Sequence, residues 1–292
     1  MDADLSRLGT LLAEHPGTLV LSGAGISTES GIPDYRGPDG RRKVTPMSHG
    51  EFVGSGEARQ RYWARSHIGW ARFRMAEPNA GHRAVSALQR SGHLGAVITQ
   101  NVDGLHQRAR SRDVVELHGS LSVVVCLECQ MRIDRDWLQE QMSRLNPGFA
   151  DLATGVAPDG SQVSSQIRPD GDIVLHDDLV TQFVQPVCPR CASDWVKPDV
   201  VFFGGSVPKE RVAHCFQLTD TAPALLVLGS SLQVMSGLRF VRRAVARGIP
   251  VAILTKGPTR ADPFGLLHVD APLGATLSQL ADGLVRAGHS VR

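Results

Sequence analysis

Residues 18–25 read TLVLSGAG, and this stretch decides the fold class because an apolar run, 18–21, passes directly into a glycine turn. Such a run is typical of a buried strand that leads into a helix. Further apolar runs of strand length lie at 95–99, 114–117, 200–203, 225–228, 251–254 and 267–269. These runs are rich in Val, Ile and Leu and do not alternate with polar residues, which predicts strands that are covered on both faces.

Helical patterns lie between several of these runs. Apolar spacing and end signals predict helices over residues 4–15, 80–91, 237–247 and 276–287. Ser236 is the expected N-cap of the third helix, and Gly92 and Gly248 are expected just beyond the ends of the second and third. Strands that alternate with helices predict an α/β fold with a doubly wound, Rossmann-like parallel sheet.

Composition and charge exclude several classes of protein. Of 292 residues, 42% are hydrophobic and 21% are charged, which is ordinary for a globular protein and excludes a disordered chain or a fibre. The formal net charge is only +2, so a dedicated nucleic-acid binder is not expected. The N-terminus carries acids where a secretory signal carries basic residues, and no apolar run is long enough for a membrane span. The sequence therefore predicts a cytoplasmic protein.

Four of the five cysteines form two C-x₂-C pairs, Cys126 with Cys129 and Cys188 with Cys191. Two such turns can direct four thiolates at one Zn²⁺, and four sulfurs leave no open position for water, so the metal would be structural. The interval between the pairs exceeds the roughly 15–20 residues of a compact zinc ribbon, so four unconnected thiols are the plain alternative. A redox C-x₂-C is disfavoured because neither pair lies in a thioredoxin-like βαβ unit. Cys215 is expected to be a small buried residue.

The glycine turn matches only part of a dinucleotide-binding fingerprint. Gly23-x-Gly25 follows a strand, as a pyrophosphate-binding turn does, but Thr28 stands where the third glycine is usual. On composition alone, a tight strand-to-helix turn explains it equally well. Polar or glycine-rich clusters also end other predicted strands, at 99–103, 116–119, 229–231 and 255–257. Because ligands of open α/β sheets bind beyond the carboxyl ends of the strands, these clusters favour a nucleotide site.

The chain combines several longer motifs with the two cysteine pairs: GAGISTESGIPDYRG (23–37), TQNVDGLH (99–106), ELHGS (116–120), KPDVVFFG (197–204) and LGSSLQV (228–234). Together these motifs resemble the sirtuin family of NAD-dependent protein-lysine deacylases. The resemblance runs in consistent order from about residue 9 to the C-terminus. Residues 59–70, 229–239 and 252–262 are most similar to the branch (class II) that includes the mitochondrial lipoamidase and ADP-ribosyltransferase sirtuin.

The resemblance implies two domains. Residues 1–122 and 197–292 would form a Rossmann-like NAD-binding domain, and 123–196 a smaller zinc-binding domain. Residues 34–75 would form a cofactor loop and a helical insertion that belongs partly to the small domain. NAD, as co-substrate, and an acylated-lysine peptide would meet in the cleft between the domains.

The resemblance also implies roles for individual residues. His118 would be the general base that deprotonates a ribose hydroxyl, and Asn101 would position a water or the nicotinamide ribose. The expected NAD-binding residues are Gly23, Ala24, Gly25, Ser27, Asp34, Tyr35, Arg36, Gln100, Asn101, Asp103, Gly229, Ser230, Ser231, Thr255, Lys256, Gly257 and Leu273. The expected peptide-binding residues are Val200, Phe203, Gly204, Gly205 and Val234, with the peptide added as a strand between 204–205 and 234–237.

The function implied is deacylation of lysine, in which the acyl group passes to ADP-ribose and nicotinamide is released. Mono-ADP-ribosyl transfer or lipoamidase activity is the alternative on the same scaffold, and a nicotinamide-dependent dehydrogenase or a zinc module that binds nucleic acid is disfavoured. Neither a membrane nor an oligomer is required.

Three positions depart from the family pattern: Gly205 stands where many members carry an acid, Ser236 where many carry proline, and Thr255 where many carry asparagine. Tyr62 and Arg65 match the pair that selects acidic acyl groups in the desuccinylating branch, although they lie in a segment that resembles the lipoamidase branch. The preferred acyl group is therefore not predicted.

Overall fold

The computed structural model describes residues 2–36, 41–43, 45–152, 169–173, 175 and 177–289. Residues 37–40 and 44 of the predicted cofactor loop lie outside the described residues. In chain order the elements are α1 (Asp2–Glu14), β1 (Thr18–Ser22), α2 (His49–Gly54), α3 (Gly56–Arg74), α4 (Ala80–Arg90), β2 (Leu94–Thr99), α5 (Leu105–Arg108), β3 (Val114–Glu116), β4 (Gly119–Cys126), β5 (Arg132–Asp134), α6 (Arg135–Leu145), α7 (Phe149–Leu152), α8 (Asp177–Val180), β6 (Val196–Val200), α9 (Lys209–Thr221), β7 (Leu225–Leu228), α10 (Met235–Ala246), β8 (Val251–Leu254), β9 (Leu267–Val269) and α11 (Leu273–His289), with 3₁₀ helices at Ala24–Ser30 and Asp262–Phe264.

The chain divides into two compact units. The large unit comprises Met1–Lys43, Glu77–His118 and Val207–Arg292, and the small unit comprises Val44–Ala76 and Gly119–Ser206. These boundaries, at 118/119 and 206/207, differ from the predicted ones at 122/123 and 196/197 by four and ten residues. The helices α2 and α3 of the 34–75 insertion belong to the small unit.

The large unit is built on a six-stranded sheet in the order β3-β2-β1-β7-β8-β9, and every neighbouring pair is parallel. The predicted doubly wound parallel sheet is confirmed. The strand order reverses between β1 and β7, where Ser22 lies in register with both Thr99 and Leu228. The carboxyl ends of β2, β1 and β7 are therefore level at the point where open α/β sheets bind ligands.

Both faces of this sheet are buried, which explains why its strands read as continuous apolar runs. Val20 packs into one core cluster with Leu88 of α4 and Leu277 of α11. Leu19 and Leu21 point the opposite way, into a second cluster with residues of α10 such as Phe240. Gly92 (φ 83°) and Gly248 (φ 68°) adopt the left-handed conformation just beyond α4 and α10, as predicted for residues that follow a helix end.

The small unit holds a three-stranded antiparallel sheet in the order β5-β4-β6. Arg135 of α6 is 1% exposed, and its guanidinium lies 4.7 Å from the ring centroid of Trp70 and 5.5 Å from that of Trp63. Its Nη2 donates to the carbonyl of Ser66, so a charged side chain ties α6 to α3. None of the helices in the described ranges is long and apolar enough to cross a membrane.

Two sequence predictions are wrong. The run 200–203 is not a strand of the parallel sheet: β6 ends at Val200 and pairs antiparallel with β4 in the small unit. The run is apolar because Phe202 packs against Phe52 and Tyr62, with ring centroids 5.2 and 5.3 Å away. Ser236 is not an N-cap either, since α10 begins at Met235 and Val234 occupies the cap position.

Two buried histidines in the large unit predict a loss of stability in acid. The rings of His82 and His106 lie 5.0 Å apart at 0% and 1% exposure, and burial lowers the pKa of His82 to about 3 and that of His106 to about 4 from an ordinary 6.5. As the pH falls below about 6.5, these two histidines bind protons in the unfolded chain but stay neutral in the folded chain. We expect the free energy of unfolding, measured with urea, to fall by about 1.4 kcal/mol per pH unit for each histidine, until its folded pKa is reached.

The slope of the free energy of unfolding against pH shows which histidines cause the loss of stability in acid. His82→Gln should lower stability at pH 7 but flatten the dependence on pH between 6 and 4.5, whereas replacement of the exposed His214 by Gln should leave the slope unchanged. A slope that is the same in all three proteins would contradict the assignment.

Candidate functional site

Two glycine turns meet at the carboxyl ends of β1 and β7. The backbone N–H of Gly25 donates to the carbonyl of Gly229 over 2.8 Å. A Cβ added at Gly25 would lie 2.8 Å from that oxygen, and one added at Gly23 would lie 2.8 Å from Cβ of Ser230. Gly229 itself has φ 61°, and a Cβ there would lie 2.4 Å from the amide nitrogen of Ile26. The glycines are thus required by the close approach of two turns at the reversal point of the sheet.

A cluster of polar side chains surrounds the turn after β1. Asn101 donates from Nδ2 to Oγ of Ser27 (3.0 Å) and to the carbonyl of Gly23 (3.2 Å). Ser27 in turn donates to Oδ2 of Asp103 over 2.7 Å. Burial raises the pKa of Asp103, against hydrogen bonds from the Leu105 amide and Ser27 that lower it. The cluster offers amide, hydroxyl and carboxyl groups in a fixed orientation, suited to hydroxyls or a carboxamide.

The side chain of Gln100 links this cluster to the turn after β7. Its Nε2 donates to Oγ of Ser230 (2.9 Å) and to the carbonyl of Ser22 (3.2 Å). The other end of the amide abuts α10, where a Cβ added at Gly237 would lie 2.6 Å from Oε1 of Gln100. Gly237 is a site residue that the sequence analysis missed, since a glycine in the first turn of a helix carries no distinctive signal.

His118 lies two residues after the end of β3 and contacts Gln100. Its Nδ1 lies 2.8 Å from the carbonyl oxygen of Gln100, and its Nε2 lies 2.9 Å from Oγ of Ser236. A carbonyl oxygen can only accept, so Nδ1 carries the proton and Nε2 is the acceptor of the neutral ring. Burial lowers the pKa of His118, and the charges of Arg211 and Arg239 lower it further. The ring is therefore neutral at pH 7, and Nε2 is its basic nitrogen.

Three predicted NAD-binding residues, Asp34, Tyr35 and Arg36, contact residues 42–43. Lys43 pairs with the carboxylate of Asp34 (2.7 Å), and its backbone N–H donates to the carbonyl of Tyr35 (2.9 Å). Arg36 forms an antiparallel bridge with Arg42. Residues 34–36 therefore lie beside residues 42–43.

The remaining predicted NAD-binding residues follow β7 and β8. The carbonyl of Ser231 accepts from the amide of Arg260 (3.0 Å). Thr255 is buried, whereas Lys256 is exposed. Gly257 donates from its backbone to Asp270 (3.3 Å). Leu273 is 7% exposed and its side chain belongs to the core cluster that contains Val20, so the structure gives it a packing role.

The predicted peptide-binding residues are divided between the units. Val200, Phe203, Gly204 and Gly205 lie in the small unit, and Val234 lies in the large unit directly before α10. The carbonyl of Phe203 accepts from the amide of His49 (2.8 Å). Gly204 has φ 79°, so the chain turns sharply just after β6.

The four paired cysteines of the small unit converge. Sγ of Cys126 lies 3.6 Å from that of Cys191, Sγ of Cys129 lies 3.6 Å from that of Cys188, and all four lie within 4.8 Å of one another. A tetrahedral site with Zn–S bonds of about 2.3 Å has sulfurs about 3.8 Å apart, so the set fits Zn²⁺. The alternative of four unconnected thiols is wrong.

The two cysteine turns are built alike. The amide of Gln130 donates to the carbonyl of Cys126, and that of Ala192 to the carbonyl of Cys188, each over 2.9 Å. Gln130 and Ala192 both have φ 58°. Each turn therefore aims both of its sulfurs at the same point. The fifth cysteine, Cys215, is fully buried in the core of the large unit.

Comparison with known proteins gives consistent matches over most of the chain. Residues 23–236 match the model of the Sir2 family. The chain is 53% identical over 276 residues to NAD-dependent protein deacetylase 1 of Streptomyces coelicolor, covering 94% of this chain and 88% of that protein. It is 45% identical over 286 residues to NAD-dependent protein deacylase Sirt4 of Drosophila melanogaster, covering 97% and 88%. A solved structure of Sir2 with a p53 peptide and NAD⁺ superposes with a TM-score of 0.71 at 27% identity, covering 98% of this chain and 99% of that one.

Proposed function

Because the chain belongs to the Sir2 family, we propose that it is an NAD-dependent protein-lysine deacylase that releases nicotinamide and transfers the acyl group to ADP-ribose. The observation that carries the proposal is a neutral imidazole, His118, whose basic nitrogen lies beside the polar cluster at the reversal point of the sheet. The experiment is incubation with NAD and an acetyl-lysine peptide, with nicotinamide and O-acetyl-ADP-ribose measured as products.

The donor set at the ends of β1, β2 and β7 fits NAD. When bound, NAD supplies an electrophilic ribose carbon, a nicotinamide leaving group and the hydroxyls that receive the acyl group. Gly23, Ala24 and Gly25 would hold the pyrophosphate with backbone groups, because the turn carries no bulky side chain. Ser230 and Ser231, with Gly229, would bind ribose or phosphate oxygens. The stretch 255–257 would face the adenosine half, since it follows the next strand of the sheet.

Amide and carboxyl groups would bind the nicotinamide end. Asn101 is held by two hydrogen bonds from Nδ2, which orient its amide oxygen as an acceptor. Asp103 and Ser27 complete the same cluster, and Gln100 is fixed through Ser230. We assign to Asn101 the positioning of a water or a ribose hydroxyl.

His118 would act as the general base. Nε2 would accept the proton of a ribose hydroxyl of bound NAD, and the electron pair of that O–H bond would stay on the oxygen, which NAD would supply as the acceptor of the acyl group. The hydrogen bond from Nδ1 to the carbonyl of Gln100 keeps Nε2 in its basic form beforehand and stabilises the imidazolium afterwards. A base of this kind contributes on the order of 10²–10⁴-fold to the rate.

The zinc set would have a structural role. Four thiolates from Cys126, Cys129, Cys188 and Cys191 complete the coordination of Zn²⁺, so the ion would organise β4, β6 and the two cysteine turns. The acylated-lysine peptide would contact residues 200–205 of the small unit. A reducing, cytoplasmic location fits the five cysteines, none of which forms a disulfide.

The same fold can support either deacetylation or another reaction that consumes NAD. The similarity to a Sirt4 relative supports membership of the same branch. Removal of lipoyl groups or mono-ADP-ribosyl transfer is therefore the alternative to deacetylation. A panel of acetyl, succinyl, lipoyl and long-chain acyl-lysine peptides, scored by nicotinamide release, separates the deacylase activities. Label transferred from NAD to the protein substrate itself would indicate ADP-ribosyl transfer.

Gly237→Ala tests the packing behind Gln100. The added methyl would lie 2.6 Å from Oε1 of Gln100 and would displace its amide from Ser230. We expect kcat/KM for NAD to fall on the order of tenfold to a hundredfold, because small displacements in a reactive site have effects of that size. The control is Gly283→Ala in α11, where an added Cβ meets open space, and it should retain full activity. Normal kinetics in Gly237→Ala would exclude a role for the contact.

A further inference from the structure

Ser236 makes a contact that helix formation does not require. It lies in the first turn of α10, but the cap position belongs to Val234, which forms no side-chain cap. The Ser236 hydroxyl instead lies 2.9 Å from Nε2 of His118. Proline, which many family members carry at this position, has no hydroxyl to offer.

The contact of Nδ1 determines which group donates in the hydrogen bond between Ser236 and Nε2. Nδ1 donates to the carbonyl of Gln100, so Nε2 of the neutral ring has a lone pair and no proton. The hydroxyl of Ser236 must therefore be the donor. An imidazole nitrogen has one lone pair in the ring plane, and here it is occupied by a serine.

A substrate hydroxyl needs that same lone pair. Any O–H that gives its proton to Nε2 must first donate a hydrogen bond to it. Ser236 is partly exposed, so its hydroxyl can turn toward water when it leaves the ring. A substrate hydroxyl can therefore replace the Ser236 hydroxyl at Nε2, and the free-energy cost is that of one hydrogen bond between neutral groups.

We propose that Ser236 is a positioning residue that masks the basic nitrogen of His118 until a ribose hydroxyl displaces it. The proposal rests on the proposed function, since it takes His118 as the base. The hydrogen bond from Ser236 would keep His118 in the tautomer with its proton on Nδ1. It would also slow proton transfer from the ribose hydroxyl to Nε2. Arg211 and Arg239 are the charged groups that act on the ring from α9 and α10.

The test compares Ser236→Ala, which lacks the hydroxyl, with Ser236→Thr, which keeps one. We expect Ser236→Ala to raise kcat/KM for deacylation by roughly two- to tenfold, the range of one neutral hydrogen bond, with KM for NAD unchanged. Ser236→Thr should stay near wild type. An equal or lower kcat/KM in Ser236→Ala would overturn the proposal.

A second readout does not depend on activity. In protein labelled with ¹⁵N-histidine and without substrate, the Nε2 resonance of His118, assigned with His118→Gln, should shift in Ser236→Ala and return in Ser236→Thr. An unmoved resonance would show that the hydroxyl does not occupy Nε2. If the wild type released no nicotinamide but the resonance shifted, the proposed function would fail while the contact would stand.

Discussion

Replacement of His118 by alanine is expected to abolish formation of deacylated peptide. The variant loses the buried, neutral ring whose Nδ1 is held by the carbonyl of Gln100 and whose Nε2 is the proposed base. Loss of a general base lowers rates on the order of 10²–10⁴-fold. Product is measured by chromatographic separation of the peptide and of nicotinamide.

The same variant should still bind NAD. The side chain of Gln100 bonds to Ser230 and to the carbonyl of Ser22. The side chain of Asn101 bonds to Ser27 and to the carbonyl of Gly23, so the imidazole holds neither amide. Titration calorimetry with NAD should give a Kd within a few-fold of wild type. His214→Ala, at an exposed position of α9, is the matched control and should be fully active. Full activity in His118→Ala would remove the assigned base.

Removal of zinc is expected to unfold the small unit. Binding of Zn²⁺ to a four-cysteine site supplies roughly 10–16 kcal/mol, which exceeds the stability of a typical domain. Cys129→Ala removes one of four ligands whose sulfurs lie within 4.8 Å of one another, so it should act like chelation. The measurement is limited proteolysis combined with zinc content. Cleavage should appear within 44–76 and 119–206, while the segments of the large unit stay intact.

Cys215→Ala provides the control for that experiment. Cys215 is also buried, but it lies in the core of the large unit and outside the group of four sulfurs. Its replacement should leave the zinc content unchanged and lower the melting temperature by only a few degrees. If chelated wild-type protein resisted proteolysis as well as the zinc-loaded protein did, the cysteines would have no structural role.

The parallel sheet could be predicted because both of its faces are buried. The central strands β1, β7 and β8 are each fully buried, so their sequences contain continuous apolar runs, each followed by a glycine or polar residue. The same rule failed at 200–203, where Phe202 is apolar because it packs against rings of the small unit. A short apolar run does not reveal which partner covers it.

The strands of the small unit carried too weak a signal. β5 has three residues, of which only Ile133 is buried, and β4 alternates irregularly between buried and exposed positions. Short strands held beside a metal need little hydrophobic pattern of their own. The cysteine spacing, by contrast, predicted the cluster because a C-x₂-C turn fixes its own geometry.

Side-chain contacts across the site could not be predicted from one sequence. His118 could be identified from its motif, but its bond to Ser236 joins positions 118 residues apart. Gly237 is required by Gln100, a distant residue whose position follows from strand register. Local patterns determine which elements form, whereas packing determines which residues of those elements touch.

The most direct test of the account is the stoichiometry of one reaction. Zinc-loaded protein is incubated with NAD and an acetyl-lysine peptide, and every product is quantified by mass spectrometry. Nicotinamide, free-lysine peptide and O-acetyl-ADP-ribose should appear in equal amounts, because NAD is consumed as a reactant. Deacetylated peptide with free acetate and intact NAD, or accumulation of reduced nicotinamide cofactor, would contradict the account.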